Sequence, residues 1–413
     1  MHRIQTHTIR VGRREIRRSR VALAGVSAAV IILAAAVIAS LALRAGSTSQ
    51  PSRPSAGVGS MALPTLAVTS FAGYPGQMAG APTLAVNAIA SGDGQRLAAG
   101  SADGHPAVWR QDAVGAWTLV TSLSGLPAQP RGAALTSMVD GPAGWLAVGM
   151  PWPVSLTSGD GVHWRAGGPD RDDFAGVLSI AAAGGPHGYV VLGKALAASG
   201  HGCVADVWWS PDLRRWTRAH DVNATNGSSQ TLAVAAKPDG FVSAGSHHGR
   251  PAVWVTTNGT AWRTIVLPSP ANAQFNQIAV HGNLVAAMGS WDHQHVVTPA
   301  FAEFSADGGL HWQMAHLNVP GQDTVITALT ATPKGFVAAG RYGGPGQRQV
   351  AVWTSTTGAN WTPVHVRGLT DTTASQADGI TALGASNDAT TGIGPVAAAT
   401  ASRQAVIVTL PAH

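Results

Sequence analysis

The stretch GFVSAGSHHGRPAVWVTTNGTAW, residues 240–262, contains the two sequence patterns that decide the fold. It begins with an apolar run that ends in glycine, and it closes with a polar Thr-Thr-Asn-Gly turn followed by tryptophan. Short apolar runs bounded by turn residues are typical of β-strands, and continuous apolarity indicates strands that are covered on both faces. The stretch therefore predicts paired strands, a tight turn and a further strand that starts at Trp262.

Both patterns recur along the chain at nearly even intervals. The glycines that end the apolar runs are Gly100, Gly149, Gly193, Gly245, Gly289 and Gly340. The tryptophans are Trp117, Trp164, Trp216, Trp262, Trp312 and Trp361, with gaps of 47, 52, 46, 50 and 49 residues. A period of this size is that of a four-stranded propeller blade.

Counting the apolar first strands predicts seven blades. They lie near Val86, Leu135, Leu178, Leu232, Ile278, Ile326 and Ile380. The last unit offers only three strands, and we expect the apolar segment 63–71 to supply its outer strand and close the ring, because closure removes exposed sheet edges. The sequence thus predicts an all-β, seven-bladed β-propeller; a six-bladed ring followed by a C-terminal hairpin is the alternative.

The turns before the tryptophans carry a second signature. Asp and Asn side chains accept hydrogen bonds from nearby backbone amides, and glycine supplies a positive φ. The residues that predict this structural role are Asp160, Trp164, Asp212, Trp216, Asn258, Trp262, Asp307, Trp312 and Trp361. The pattern resembles the Asp-box (BNR) repeat of sialidase-like β-propellers from Ser158 to Trp361, and 109–117 resembles a degenerate further copy with Gln111 and Ala113 at the key turn positions. The resemblance implies the fold, since such turns occur on propellers of unrelated function.

The resemblance does not extend to the catalytic residues of sialidases, which use a tyrosine paired with a glutamate and three arginines. Beyond residue 20 the one glutamate is Glu303, and Tyr74, Tyr189 and Tyr342 are the only tyrosines. The Phe/Tyr-Arg-Ile-Pro motif of that family is absent. We therefore assign no catalytic residue and expect binding rather than catalysis. A glycan-active or metal-dependent enzyme of the sialidase-like propeller type is the alternative.

The N-terminal region predicts a membrane anchor. Residues 21–43 are uncharged and long enough to span a hydrocarbon core of about 30 Å. Residues 1–20 contain seven arginines and one acid, which predicts a cytoplasmic tail and an extracellular C-terminal region. Residues 44–62, rich in Ser, Pro and Gly, are expected to form a flexible stalk below a propeller at 63–413.

Charge excludes one class of partner. The chain carries a net charge of +6, and the tail contributes seven minus one, so the remainder is neutral. A neutral domain does not suit nucleic acid, which needs a basic face. The excess of arginine over lysine, with abundant Ala and Gly, indicates a bacterial protein. The single cysteine, Cys203, excludes an internal disulfide and is expected to be a buried small residue.

The loops between second and third strands carry the candidate site. Trp152, Trp291 and Tyr342 could stack on a ligand, while Asp292, Arg250 and Arg341 could hydrogen-bond to it. His247, His248, His293 and His295 could hold a divalent metal, the possible cofactor. The expected function is that of a scaffold or binding module for an envelope protein or polysaccharide.

Overall fold

The computed structural model describes residues 84–120, 123–124, 132–150, 154–169, 177–196, 203–219, 229–267, 272–291, 300–319, 324–343, 349–364, 377–384, 396–401 and 404–409. The predicted tail, membrane span, stalk and closing strand all lie outside these ranges. Within them, no helix has the length and apolar character needed to span a membrane.

The described residues form twenty-nine strands and build seven antiparallel sheets. The first strands are β1 (Leu84–Gly92), β6 (Ala134–Gly141), β10 (Val177–Gly185), β14 (Ser229–Lys237), β18 (Ala273–His281), β23 (Val325–Thr332) and β27 (Ala377–Gly384). The second strands are β2 (Gln95–Ala102), β7 (Gly144–Met150), β11 (Gly188–Leu196), β15 (Gly240–His247), β19 (Leu284–Trp291), β24 (Gly335–Tyr342) and β28 (Val396–Ala401). The seven predicted first strands are confirmed.

The third strands are β3 (His105–Gln111), β8 (Val154–Ser158), β12 (Cys203–Ser210), β16 (Arg250–Thr256), β20 (Ala300–Ser305), β25 (Gln349–Ser355) and β29 (Gln404–Thr409). The fourth strands are β4 (Trp117–Leu119), β9 (Trp164–Ala166), β13 (Thr217–Ala219), β17 (Arg263–Val266), β21 (Gln313–Met314) and β26 (Asn360–Val364). Two short segments, β5 (Leu123–Ser124) and β22 (His316–Leu317), pair in parallel outside β9 and β26.

The fold is an all-β propeller with six complete blades. Blades 1 to 6 begin with β1, β6, β10, β14, β18 and β23, and each runs from its first to its fourth strand in sequence order. A seventh sheet, β27–β28–β29, has three strands among the described residues, so the seven complete blades predicted from the sequence are not shown. Each first strand contacts the next, and β27 contacts both β23 and β1.

Every first strand contains a β-bulge, one extra residue that its partner strand does not match. The bulged residues are Asn87, Thr136, Leu178, Leu232, Asn276, Thr327 and Thr381. The backbone beside the bulge comes so close to the second strand that a Cβ on Gly245 would lie 1.8 Å from the Gln230 carbonyl oxygen. The same approach occurs at Gly100, Gly149, Gly289 and Gly340, and it explains why five of the six apolar runs end in glycine.

The bulged side chains link neighbouring sheets around the axis. Asn87 donates to the Leu135 carbonyl at 2.9 Å, and Thr381 donates to the Val86 carbonyl at 2.8 Å. Thr136, Asn276 and Thr327 donate to the following sheet in the same way. Leu178 and Leu232 have no polar side-chain group, so two seams of the ring lack this hydrogen bond.

The turns between third and fourth strands, 158–164, 210–216, 256–262, 305–312 and 355–361, are here named the tryptophan turns. In the turn of blade 2, Asp160 Oδ1 accepts from the amides of Val162 and His163 at 2.9 and 2.8 Å. Trp164 Nε1 donates to the Gly161 carbonyl at 2.9 Å. Trp262, Trp312 and Trp361 donate to Gly259, Gly309 and Gly358 in the same way.

Two blades depart from this geometry. In blade 3, Leu213 takes the glycine position with φ of 61°, and Trp216 Nε1 has no hydrogen-bond partner among the described residues. In blade 1, Asp112 rather than the predicted turn positions organises the turn, because its Oδ1 accepts from the amides of Val114 and Ala116. The degenerate copy is therefore a working turn with its acid displaced by one residue.

Replacing Gly245 with alanine should strongly destabilise the propeller. The added Cβ would overlap a backbone carbonyl that no side-chain movement can relieve, and we expect a loss of roughly 3 kcal/mol or more. Gly193→Ala is the matched control. In blade 3 this glycine pairs with Ile180, which lies beyond the bulge, and not with the residue before the bulge. The three atoms nearest to its new Cβ would be side-chain atoms of Val177 and Trp208 at 3.1–3.2 Å. Urea unfolding of both variants measures the difference, and equal losses would contradict the assigned constraint.

Candidate functional site

The antiparallel order of each blade places its loops on two faces. Turns between first and second strands share one face with the tryptophan turns, here named the tryptophan-turn face. Loops between second and third strands lie on the opposite face with the connections between blades. Two adjoining cavities lie on the tryptophan-turn face over blades 2 and 3. Ala143 lines the outer cavity, and its neighbour Pro142 lines the inner cavity.

The outer cavity has a volume of about 590 Å³ and lies between the tryptophan turns of blades 2 and 3. Its charged lining side chains are Asp160, His163, Arg165, Asp212 and Arg214. Both arginines are exposed, and neither guanidinium forms an ion pair or hydrogen bond within the described ranges. This cavity therefore presents two exposed planar cations that no described protein group pairs with.

The two carboxylates of the outer cavity are already engaged by their own turns. Hydrogen bonds from the His163 ring, with Nδ1 at 2.6 Å, and from the His163 amide hold the pKa of Asp160 well below its usual range. The amides of Arg215 and Arg214 lower the pKa of Asp212. Both acids stay ionised at neutral pH, and the Oδ1 atom of each accepts hydrogen bonds within its own turn.

The inner cavity, of about 460 Å³, lies at the inner ends of blades 1 to 3. Ser91 and Asp140 line it, and Ser91 Oγ and Asp140 Oδ1 have no hydrogen-bond partner among the described residues. Burial, and then the negative charge of Asp93, raise the pKa of Asp140 to about 6. The inner end is thus acidic, whereas the outer end carries arginines.

Tyr189 holds the turn that separates the two cavities. Its hydroxyl accepts from the Ala143 amide and donates to the Gly144 carbonyl, both at 2.7 Å. The side chain is fully buried, and this burial raises the pKa of its phenol to about 12. A Cβ on Gly141 would lie 2.7 Å from the Tyr189 ring, so the turn fits closely over it.

The structure places three of the predicted site residues in one turn on the opposite face. His247, His248 and Arg250 belong to the β15–β16 hairpin, and the His247 and His248 rings meet edge to face at 4.2 Å. His247 Nδ1 lies 2.5 Å from the buried Ser229 Oγ. Burial, and then the charge of His248, lower the pKa of His247, which favours a neutral ring.

The remaining described candidates are partly committed to packing. One face of the Trp291 ring stacks on Phe301 at 5.9 Å, and the Tyr342 hydroxyl bonds the Gln349 side chain. Arg341 is half-buried in blade 6. Trp152, Asp292, His293 and His295 lie outside the described residues, so their predicted roles stay predictions. Within the ranges given above, no group of three His, Cys, Asp or Glu side chains is placed to hold a metal.

Reasoning from the sequence missed the cavities. Asp140 and Arg165 belong to different repeat positions, and no spacing rule joins them. Glu303, considered only as a possible acid catalyst, is buried inside blade 5, and this burial raises its pKa to about 7. Comparing the six complete blades position by position could have singled it out, because the other five third strands carry tryptophan or leucine there.

Comparison with known proteins identifies the fold. No family model matches the chain, and no curated protein matches it. The solved structure of YCF48 bound to D1 peptide is similar with a TM-score of 0.50 and 12% identity, covering 84% of this chain and 100% of that one. At this identity the likeness shows a β-propeller fold.

Two sialidase structures are also similar, at 12% identity each. For the Hadza microbial sialidase Hz136 the TM-score is 0.43, and the match covers 78% of this chain and 65% of the sialidase chain. For the Trypanosoma rangeli sialidase in complex with the inhibitor DANA the TM-score is 0.42, and the match covers 80% of this chain and 54% of the sialidase chain.

Tyr189→Phe should lower the free energy of unfolding by roughly 1–3 kcal/mol, because it leaves the part-buried Ala143 amide and the buried Gly144 carbonyl without their shared partner. Tyr342→Phe is the control, since its hydroxyl meets an exposed glutamine side chain, and we expect a change within about 0.5 kcal/mol. Urea unfolding compares the two variants. A loss at Tyr342 as large as that at Tyr189 would refute the structural role given to the Tyr189 hydroxyl.

Proposed function

We propose that this chain is a membrane-anchored binding module whose tryptophan-turn face holds an extended, carboxylate-bearing segment of a partner protein. The observation that carries the proposal is the pair of free guanidinium groups, Arg165 and Arg214, at the outer cavity. Arginine presents a planar fork of donors that matches a carboxylate, and such charge-assisted pairs are strong and directional. Asp160 and Asp212 form no ion pair with these arginines in the part of the chain that the structure describes, and the Oδ1 atom of each accepts from amides of its own turn.

The dimensions of the site favour an extended ligand. The outer cavity falls within the range of roughly 300–1,000 Å³ that is typical of ligand sites. The inner cavity continues it toward the axis, beyond Pro142 and Ala143. A chain lying across both would meet arginines at the rim and the Asp140 carboxyl near the axis. YCF48 is a propeller whose structure contains a bound peptide, and the same mode of use is proposed for this chain.

A polysaccharide partner is the second class that the sequence suggested, through ring stacking on Trp152, Trp291 and Tyr342, of which Trp152 lies outside the described residues. Trp291 and Tyr342 already make contacts within the protein: one face of the Trp291 ring stacks on Phe301, and the Tyr342 hydroxyl bonds the Gln349 side chain. This observation favours a protein partner over a glycan.

The location that we propose rests on the N-terminal sequence. The uncharged segment 21–43 would anchor the protein, with the arginine-rich tail in the cytoplasm and the propeller on the extracellular side. This arrangement would present the tryptophan-turn face to other proteins or polysaccharides of a bacterial envelope. The tryptophan turns would then be Asp-box repeats used as a scaffold.

Charge reversal at the outer cavity tests the binding proposal. Purified full-length protein is titrated into a fluorescent short peptide of Asp, Glu and Gly, with the Asn/Gln counterpart as probe control. We expect Arg165→Glu/Arg214→Glu to weaken binding at least about tenfold, since removing a close charge pair costs about 1.4 kcal/mol or more.

Arg263→Glu provides the matched control. Arg263 follows Trp262 in blade 4 as Arg165 follows Trp164 in blade 2, but it does not line the outer cavity. Its reversal should leave the affinity within about twofold. Equal weakening by both changes, or equal binding of the Asn/Gln peptide, would remove the proposal.

We also propose that segment 63–71 completes the seventh sheet as its fourth strand, beside β29. Deleting residues 60–72 from the full chain should then lower Tm by more than about ten degrees, because an outer strand and its apolar contacts would be lost. Deleting stalk residues 47–59 is the control and should leave Tm within about two degrees. An unchanged melt after the first deletion would favour the six-bladed alternative.

A further inference from the structure

The third strands share one position that Glu303 alone fills with a charged residue. This position lies on the third strand, two residues before the residue that begins the turn to the fourth strand (Ser158 in blade 2, Ser305 in blade 5). In blades 1 to 6 it is occupied by Trp109, Leu156, Trp208, Trp254, Glu303 and Trp353. Each pairs with the residue two before the conserved glycine of the second strand. All six are buried, and Glu303 is 1% exposed. A glutamate thus occupies the place of a core tryptophan.

The surroundings of Glu303 are apolar. It pairs with Ala287 and lies on the same side of the pleated strand as Phe301, two residues away. Ala287 and Phe301 belong to the core cluster between blades 4 and 5, to which blade 4 contributes Val242 and Val253. Glu303 Oε1 has no hydrogen-bond partner among the described residues. Such burial penalises the ionised carboxylate and raises the pKa of Glu303 to about 7.

The charged groups around this seam are engaged elsewhere. At the tryptophan-turn end, the buried Lys237 of blade 4 donates to Asp239 at 2.5 Å, and Asp307 of blade 5 bonds His311. At the opposite end, His247 bonds Ser229. Arg263 and Arg250, on the strands of blade 4, are exposed. None of them pairs with Glu303 in the part of the chain that the structure describes.

The inner edge of the same seam lacks a second feature of the repeat. Blade 4 carries Leu232 at its bulge, so no side chain there donates to the first strand of blade 5, as Asn87 does to Leu135. The corresponding donor between blades 5 and 6, Asn276, is present. Two departures from the repeat, one polar residue gained in the core and one hydrogen bond lost at the axis, fall on one seam.

We propose that the seam between blades 4 and 5 is a proton-sensitive joint, closed while Glu303 is protonated and loosened when that carboxyl loses its proton. A neutral carboxyl is tolerated among apolar side chains far better than a carboxylate. The pKa of Glu303 in the folded state lies above its ordinary value of 4.5. Its contribution to stability is therefore fully present below 4.5 and is lost as the pH rises through about 7.

Glu303→Gln isolates this contribution, because it keeps the shape and removes the proton equilibrium. Urea unfolding of the full-length protein and of this variant is measured from below pH 4.5 to above 7. Across that window we expect the unfolding equilibrium constant of the natural protein, relative to the variant, to rise on the order of a hundredfold. Asp140 and His247 also titrate, but they are common to both proteins and cancel in the ratio. A ratio that does not change with pH overturns the proposal.

Hydrogen exchange locates the effect. After correction for intrinsic rates, amides of β16 and β20 should lose protection as the pH rises, while those of β25, where Trp353 fills the same position, should keep it. Loss spread evenly over all blades would overturn a local joint. If Glu303→Gln fails to fold, Glu303→Leu replaces it as the variant without a carboxyl. Glu303→Trp restores the residue of the repeat, and in this variant we expect the protection of β16 and β20 to be independent of pH. If the protection in Glu303→Trp still depends on pH, the proposal is wrong.

Discussion

The close approach of the first and second strands in blades 1, 2, 4, 5 and 6 is the constraint on which the rest of the propeller depends. A bulge pushes the carbonyl before it into the space that a Cβ would fill, so the facing position is glycine, as at Gly100 and Gly289. The same bulge turns Asn87 or Thr381 toward the next sheet, where each donates to a carbonyl. One backbone irregularity thereby fixes the strand pair and ties successive sheets together.

The tryptophan turns stabilise the other end of each blade by purely local contacts. In blade 2, Ser158, Asp160 and Trp164 each satisfy groups within the same turn. Locality explains why these turns can be read directly from residue order. It also explains how blade 3 tolerates Leu213 at a positive φ: the acid of the turn, Asp212, still accepts its two amides.

The sequence predicts the architecture well because the determinants of a blade lie within about 50 residues of one another. Glycine, apolar runs and tryptophan positions predicted all seven first strands and the residues of the tryptophan turns. It predicts the site poorly, because a cavity depends on residues from different blades. Arg165 and Arg214 are brought together by the packing of blade 2 on blade 3, which no period records. The histidine turn at His247 was foreseen, but its contact with Ser229 required the fold.

Departures from the repeat are where function is most reasonably sought. Positions such as Gly245, which is glycine in all six complete blades, maintain the ring and cannot distinguish one partner from another. Arg214, Asp140 and Glu303 have no equivalent in the other described blades, and none is needed to build a strand or a turn. A buried glutamate in place of tryptophan costs stability at neutral pH, and so does the burial of the Asp140 carboxyl, whose Oδ1 has no hydrogen-bond partner among the described residues. Residues that weaken a repetitive scaffold in this way are best explained by a role that the scaffold itself does not require.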